Sequence, residues 1–180
     1  QEFMSPSANT RDDQWGGSFE NRTRLCIDVF KAIREVWPEH KPIGVRLSAT
    51  DYLEGGWSLE ETTELCRRLR SLGCDYAAIS SGGLSLDQKV PIGEGHQVGF
   101  ARTVREGSGL PVMCVGMIFR PKHAEKIISD RDADLVGLAR GMLQDPHWPW
   151  RAAAELDAEV TYPPQYIRGY RSKWHRTQRY

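Results

Sequence analysis

The stretch Ala133–Pro146, ADLVGLARGMLQDP, decides how this chain is read. Its apolar half is short enough for one buried strand, and it runs into Gly137, Leu138, Ala139 and Arg140, where small residues let the backbone approach a ligand. Arg140 adds a planar fork of donors suited to an anion, and Gly141 opens a further helical segment. Taken alone, the stretch is equally an ordinary buried strand followed by a surface arginine. The spacing of similar strands upstream decides between the two.

Working back from it, Pro111–Val115 is a strand that ends at Gly116, and Pro121 suits the first position of a helix carrying Ala124, Ile127 and Ile128 on one face. Tyr76–Ser80 is another strand, followed by Ser81-Gly82-Gly83, a polar loop and a helix from about Gln97 to Glu106. Further upstream, Ser58 and Glu61 form a capping box for a helix with Leu65, Leu69 and Leu72 on one face. Before that lies the strand PIGVRLSA, in which Ile43, Val45 and Leu47 alternate with Gly44, Arg46 and Ser48. The first helix starts at Ser18 as N-cap, carries Leu25, Val29, Ala32, Ile33 and Val36 as its apolar face, and stops at Pro38. The opening QEFMSPSANTRDDQWGGSFENR reads as a long loop.

Strand centres near Val45, Ala78, Met113 and Val136, each separated by a helix, describe parallel βα units with right-handed crossovers. The fold class is α/β. Glycines and polar residues gathered past the strand ends fit a (β/α)₈ barrel, with a flavodoxin-like open sheet as the alternative. A full barrel has eight strands in about 250 residues, whereas the 180 residues here supply four such units. The expectation is therefore the C-terminal half of a barrel, strands 5 to 8 over residues 1–160, with residues 161–180 as a basic, aromatic tail. Such a half exposes strand edges and an apolar inner face, so it calls for an N-terminal half-barrel as partner.

Composition narrows the rest. A hydrophobic content of 39% with 27% charged residues belongs to a globular chain, and no apolar run approaches the ~20 residues of a membrane span. With no signal-peptide pattern, the expected setting is the cytoplasm and no membrane partner. Basic and acidic residues balance at 24 each, which gives no overall bias towards nucleic acid. Cys26, Cys66, Cys74 and Cys114 lack any metal-ligand spacing and read as reduced core thiols, so no metal is expected.

Two positions carry chemistry. A phosphate site after strands 7 and 8 recurs in such barrels, which places Gly116-Met117 and Ala139-Arg140 around one anion. Arg46 is an always-charged guanidinium on a barrel strand; it serves either an ion pair or a cofactor that turns anionic on reduction.

SPSANTRDDQWGGSFENRTR, GVRLSATD, ISSGG, GEGHQVGFARTVR, VGMI, ADLVGLARGMLQDPHW and PPQYIRGY, in that order, resemble the old yellow enzyme family, in its bacterial ene-reductase and xenobiotic reductase branch. The resemblance implies an FMN-containing barrel that takes hydride from NADPH or NADH and reduces α,β-unsaturated carbonyl or nitro compounds. It sets Arg46 against the flavin pyrimidine edge, and Gly116, Met117, Ala139 and Arg140 around the phosphate. Ala139 stands where many relatives have glycine, and Trp15 where tyrosine is usual. The family's substrate-binding His-x-x-His or His-x-x-Asn pair and its tyrosine proton donor would lie ahead of Gln1, which leaves no catalytic residue to assign on this chain. His40, His96, His123, His147 and His175 match none of those positions and read as surface or loop residues.

The tail contains Arg168, Arg171, Lys173, Arg176 and Arg179 and no acid. Arginines among tyrosines and a tryptophan are also a pattern for nucleic acid, but a frayed terminus outranks that reading, and no nucleic-acid partner is expected. The resemblance implies a third role for it. Arg168 reaches a neighbouring subunit's substrate site, with Trp174 as a wall, in a homo-oligomer that exchanges tails. Other readings of the whole chain are a different FMN or phosphate-binding barrel enzyme, or a catalytically incomplete half-barrel that associates through its open edges.

Overall fold

The computed structural model of the chain describes residues 1–169. Helix α1 (Phe19–Val36) leads into β1 (Gly44–Ser48), α2 (Leu59–Ser71), β2 (Tyr76–Ser80), α3 (Val98–Ser108), β3 (Val112–Cys114), α4 (Pro121–Ser129) and β4 (Leu135–Val136). Two short helices, α5 (Arg140–Gln144) and α6 (Trp148–Glu155), and a 3₁₀ turn at Pro164–Gly169 follow. The four strands form one parallel sheet in the order β1-β2-β3-β4. Because neighbours in sequence are neighbours in the sheet, every connection is a helical crossover and the sheet never reverses, as in a barrel and not in a doubly wound sheet.

The register explains the two faces. Leu47, Ile79, Cys114 and Val136 stand in one row, and Leu47, Ile79 and Cys114 are buried in a core with Leu65, Leu69, Val104 and Ile127 from the covering helices. Arg46, Ala78, Met113 and Leu135 form the alternate row on the opposite face. Gly44 lies on that face too, where any Cβ would collide with the ring of Tyr76, its partner in register.

Local signals set the helix ends. Ser18 Oγ accepts from Asn21 N–H at 3.3 Å, and the Ser58/Glu61 box closes with both reciprocal bonds. Glu61 also accepts from Arg22 Nη2 at 2.6 Å, which joins α1 to α2. The opening loop has no regular structure, yet buried polar groups hold it. Asp51, fully buried, accepts from Trp57 N–H at 2.8 Å, Ser5 Oγ at 2.5 Å and Gln1 Nε2 at 2.9 Å.

Two features differ from the sequence reading. The apolar stripe Leu25-Val29-Ala32-Ile33-Val36 does not face the core: Phe30 is buried, whereas Val29 is 49% and Val36 80% exposed. The helix carries a second apolar face through Cys26, Ile27 and Phe30, which packs on the core, while Val29 and Ile33 line a groove along the β1 edge with Ile43 and Val45. A matching apolar groove runs along the other edge, between β4, α4 and α6. Helix α6, absent from the sequence reading, buries its own Ala152 and anchors the chain's last described turn. Trp150 packs on Tyr162 and Tyr166 at ring distances of 5.0 and 4.8 Å.

Among the described residues, no helix is long and apolar enough to cross a membrane, and no group of three or more His, Cys, Asp and Glu side chains is gathered as a metal site.

Candidate functional site

A cleft of about 560 Å³ opens past the C-terminal ends of the strands. This is the face at which parallel βα folds bind ligands, because turns there can vary while the strands below stay fixed. Arg46, Gly116, Met117, Ala139 and Arg140 all line it. Arg46 comes from the first strand, Gly116 and Met117 from the turn after the third, and Ala139 and Arg140 from the turn after the fourth. Arg168 sits apart in the exposed 3₁₀ turn, and Trp174 lies outside the described residues.

The backbone around the cleft is shaped for close approach. Gly116 has φ +116 and Met117 φ +53, so two successive residues leave the usual right-handed region and the chain turns sharply at the cleft wall. Gly137 is small because a Cβ there would stand 2.9 Å from Val115 Cγ1 and 3.0 Å from Met113 Sδ. Helix α5 begins at Arg140 with no side chain capping its first N–H groups.

Electrostatics single the cleft out. No aspartate or glutamate lines it, and neither Arg46 nor Arg140 has an ion-pair or hydrogen-bond partner among the described residues. An unpaired guanidinium beside apolar surface favours an incoming anion, since the cation has no protein charge to give up. Val90, Ile92, Met113, Val115 and Leu138 provide apolar wall between the two cations. The donor set thus fits a flat, anionic ligand bearing a phosphate, which is the fit an FMN molecule requires.

Three further polar residues lie in the cleft that sequence reasoning did not single out. Ser81 and Gln97 are one pair. The third is His96, which is a loop residue as read but half-buried; its Nδ1 donates to the Gly93 carbonyl at 2.8 Å. Their signal was position alone, since they flank the long loop after β2 on the ligand-binding side. That loop is tied to its neighbour by Gly95 N–H donating to Gly116 O at 2.9 Å.

Helices on one face of a four-stranded parallel sheet, with a cleft at the C-terminal strand ends, are the architecture of half a (β/α)₈ barrel. Comparison with known proteins narrows the class. The family model described as "NADH:flavin oxidoreductase / NADH oxidase family" matches residues 1–159. The NADPH dehydrogenase of Geobacillus thermodenitrificans is 39% identical over 170 residues, covering 94% of this chain and 49% of that protein. That of Listeria innocua is 36% identical over the same shares. Among solved structures, morphinone reductase in complex with tetrahydroNAD superposes with a TM-score of 0.65 at 26% identity, over 91% of this chain and 42% of that one. A 2-naphthoyl-CoA reductase complex superposes with a TM-score of 0.79 at 28% identity, over 86% and 24%.

The chain belongs to the NADH:flavin oxidoreductase / NADH oxidase family, the old yellow enzymes. It spans about half the length of the curated relatives it matches. FMN and a nicotinamide dinucleotide are the cofactors of this family.

Proposed function

We propose that the protein carrying this chain is an FMN-dependent NAD(P)H:ene oxidoreductase acting on activated C=C bonds of α,β-unsaturated carbonyl or nitro compounds. In this reading, residues 1–160 are the half of the barrel that holds the FMN phosphate. The observation that carries it is the acid-free cleft with two arginines, one on β1 and one just past β4, that have no partner among the described residues. A flavin bound there supplies hydride transfer from a nicotinamide to an electron-poor alkene carbon.

The residues of this chain bind and tune. Arg140, Ala139, Gly116 and Met117 hold the phosphate through side-chain and backbone N–H groups. Arg46 lies at the far end of the sheet, where its permanent charge favours the anionic, reduced form of a flavin pyrimidine edge. Val90, Ile92 and Met113 keep water from the ring between them. The curated relatives' name favours NADPH as the hydride donor.

Catalytic groups belong to the N-terminal half-barrel in this reading, which docks on the apolar grooves beside β1 and β4. Substrate contacts come from Arg168 and Trp174 of a neighbouring subunit in a cytoplasmic homo-oligomer. Tyr166, held on Trp150, fixes the base of that arm while Arg168 stays exposed.

Reconstitution with FMN followed by NADPH oxidation in the presence of cyclohexenone or a nitroalkene tests the reading. The expected result is a yellow protein whose flavin is bleached by NADPH and restored by the alkene without oxygen. A flavoprotein that returns electrons to oxygen alone would make it an NADPH oxidase, and one that retains no flavin would remove the cofactor assignment.

A further inference from the structure

Gln97 is 7% exposed and stands at the N-cap of α3, yet its side chain makes no cap hydrogen bond. It turns into the cleft instead. Nε2 donates to Ser81 Oγ at 2.8 Å and towards the Ser81 carbonyl at 3.4 Å. A carbonyl can only accept, so the amide orientation is fixed: the NH₂ group is committed to Ser81, and Oε1 points the other way. Oε1 has no hydrogen-bond partner among the described residues and opens on the cleft. It lies against Gly116, 3.2 Å from where a Cβ of that residue would be, and the whole side chain fills the space that a larger residue at Gly116 would take.

The support behind this amide is built as well. Tyr52, held at φ +53, places its Oη 2.8 Å from Ser81 Oγ, so Ser81 is gripped from two sides. Strand order then fixes where Oε1 sits. Ser81 follows β2 and Gly116 follows β3, so Gln97 stands between the strand of Arg46 and the turn of Arg140. Three strand spacings of ~4.8 Å put about 14 Å between those outer strands.

We infer that Gln97 reads the polyol chain of the cofactor: Oε1 accepts from one hydroxyl of the ribityl group that joins the flavin ring to its phosphate. This rests on the flavin reading above. A ring at the Arg46 side and a phosphate at the Arg140 side leave the hydroxylated chain in the middle. A fixed amide oxygen open to the cleft there selects a hydroxyl, since a bound ligand that covers it without a donor leaves it unpaired, which is unfavourable.

Flavin-fluorescence titration of the flavin-free protein tests it with FMN and with a 5′-phosphate analogue whose ribityl hydroxyls are replaced by hydrogen. Gln97→Met is expected to weaken FMN by about 5- to 30-fold and to leave the analogue within about twofold. Equal FMN affinity in variant and parent overturns the inference, as does equal weakening of both ligands, which marks a merely structural side chain. A parent protein that binds neither ligand overturns the flavin reading itself. Singly deoxygenated FMN analogues on the unaltered protein give a second test: one position should lose affinity, and equal affinity for all of them overturns the assignment.

Discussion

Glu94 and Arg120 meet as a two-pronged pair, with Arg120 Nε and Nη2 donating to the two carboxylate oxygens at 2.9 and 2.6 Å, and His123 Nδ1 joins at 3.0 Å. The pair fastens the loop that leads to His96 and Gln97 to the start of α4. The hydrogen bonds from Arg120 hold the Glu94 carboxyl below the usual carboxylate range. A depressed carboxylate contributes at pH above its ordinary value, and the contribution is lost as pH falls through the lowered one. Because the pair is exposed, Glu94→Gln should leave the melting temperature almost unchanged. Protection of residues 93–97, taken relative to intrinsic exchange at each pH, should fall at neutral pH in the variant, and should fall in the parent only on acidification. Identical exchange in both at neutral pH would show that the pair does not hold the loop.

Replacing Arg140 by Ala removes a charge-assisted donor from the turn after β4. A hydrogen bond to a charged group is worth about 1.5–3 kcal/mol, so FMN affinity should fall roughly 10- to 150-fold. Riboflavin, which lacks the phosphate, should lose little. Titration of both ligands checks this, and comparable losses for the two would place Arg140 away from the phosphate.

Arg46→Met should make the bound flavin harder to reduce, because a permanent cation on the inner face of β1 no longer favours the anionic reduced ring. Arg46→Lys should restore much of the potential, though a point charge lacks the planar fork. Spectroelectrochemical titration is the measurement. An unshifted midpoint in Arg46→Met would remove Arg46 from the ring's edge.

How far the sequence carried the fold depended on which force decides each element. Strand alternation in GVRLS, the Ser58–Glu61 box and Pro121 are local signals, and each appears in the structure where local rules put it. The old yellow enzyme resemblance, confirmed by the family match over residues 1–159, came from motif order, which no single local rule contains. Helix α1 shows the limit. Its Val29–Ile33 stripe and its Phe30 face have similar periodicity, and only the packing partner decides which one meets the core. The cleft is similar: Arg46, Gly116 and Arg140 stand out by residue type, whereas Gln97 and Ser81 act through an amide orientation that only tertiary geometry sets.

The cysteines give a test of which surfaces are covered. Burial pushes the Cys66 thiol up to about 12, helped by Cys74 and Cys26, and pushes Cys74 and Cys114 to about 11. Cys26 is raised too by burial, but it is only half-buried and lines the groove beside the β1 edge. Since the thiolate is the reactive form, iodoacetamide at pH 8 should modify Cys26 first and the other three only on unfolding. Raised thiol pKa values also mean that the folded state keeps protons an unfolded chain releases. Stability is therefore full below the ordinary thiol value of 9.0 and falls as pH rises from there towards 11 and 12. Mass spectrometry after timed alkylation should rank Cys26 fastest in this chain alone and protect it where a partner half-barrel covers the groove. Equal labelling of Cys26 with and without that partner would show that the groove beside β1 is not where it docks.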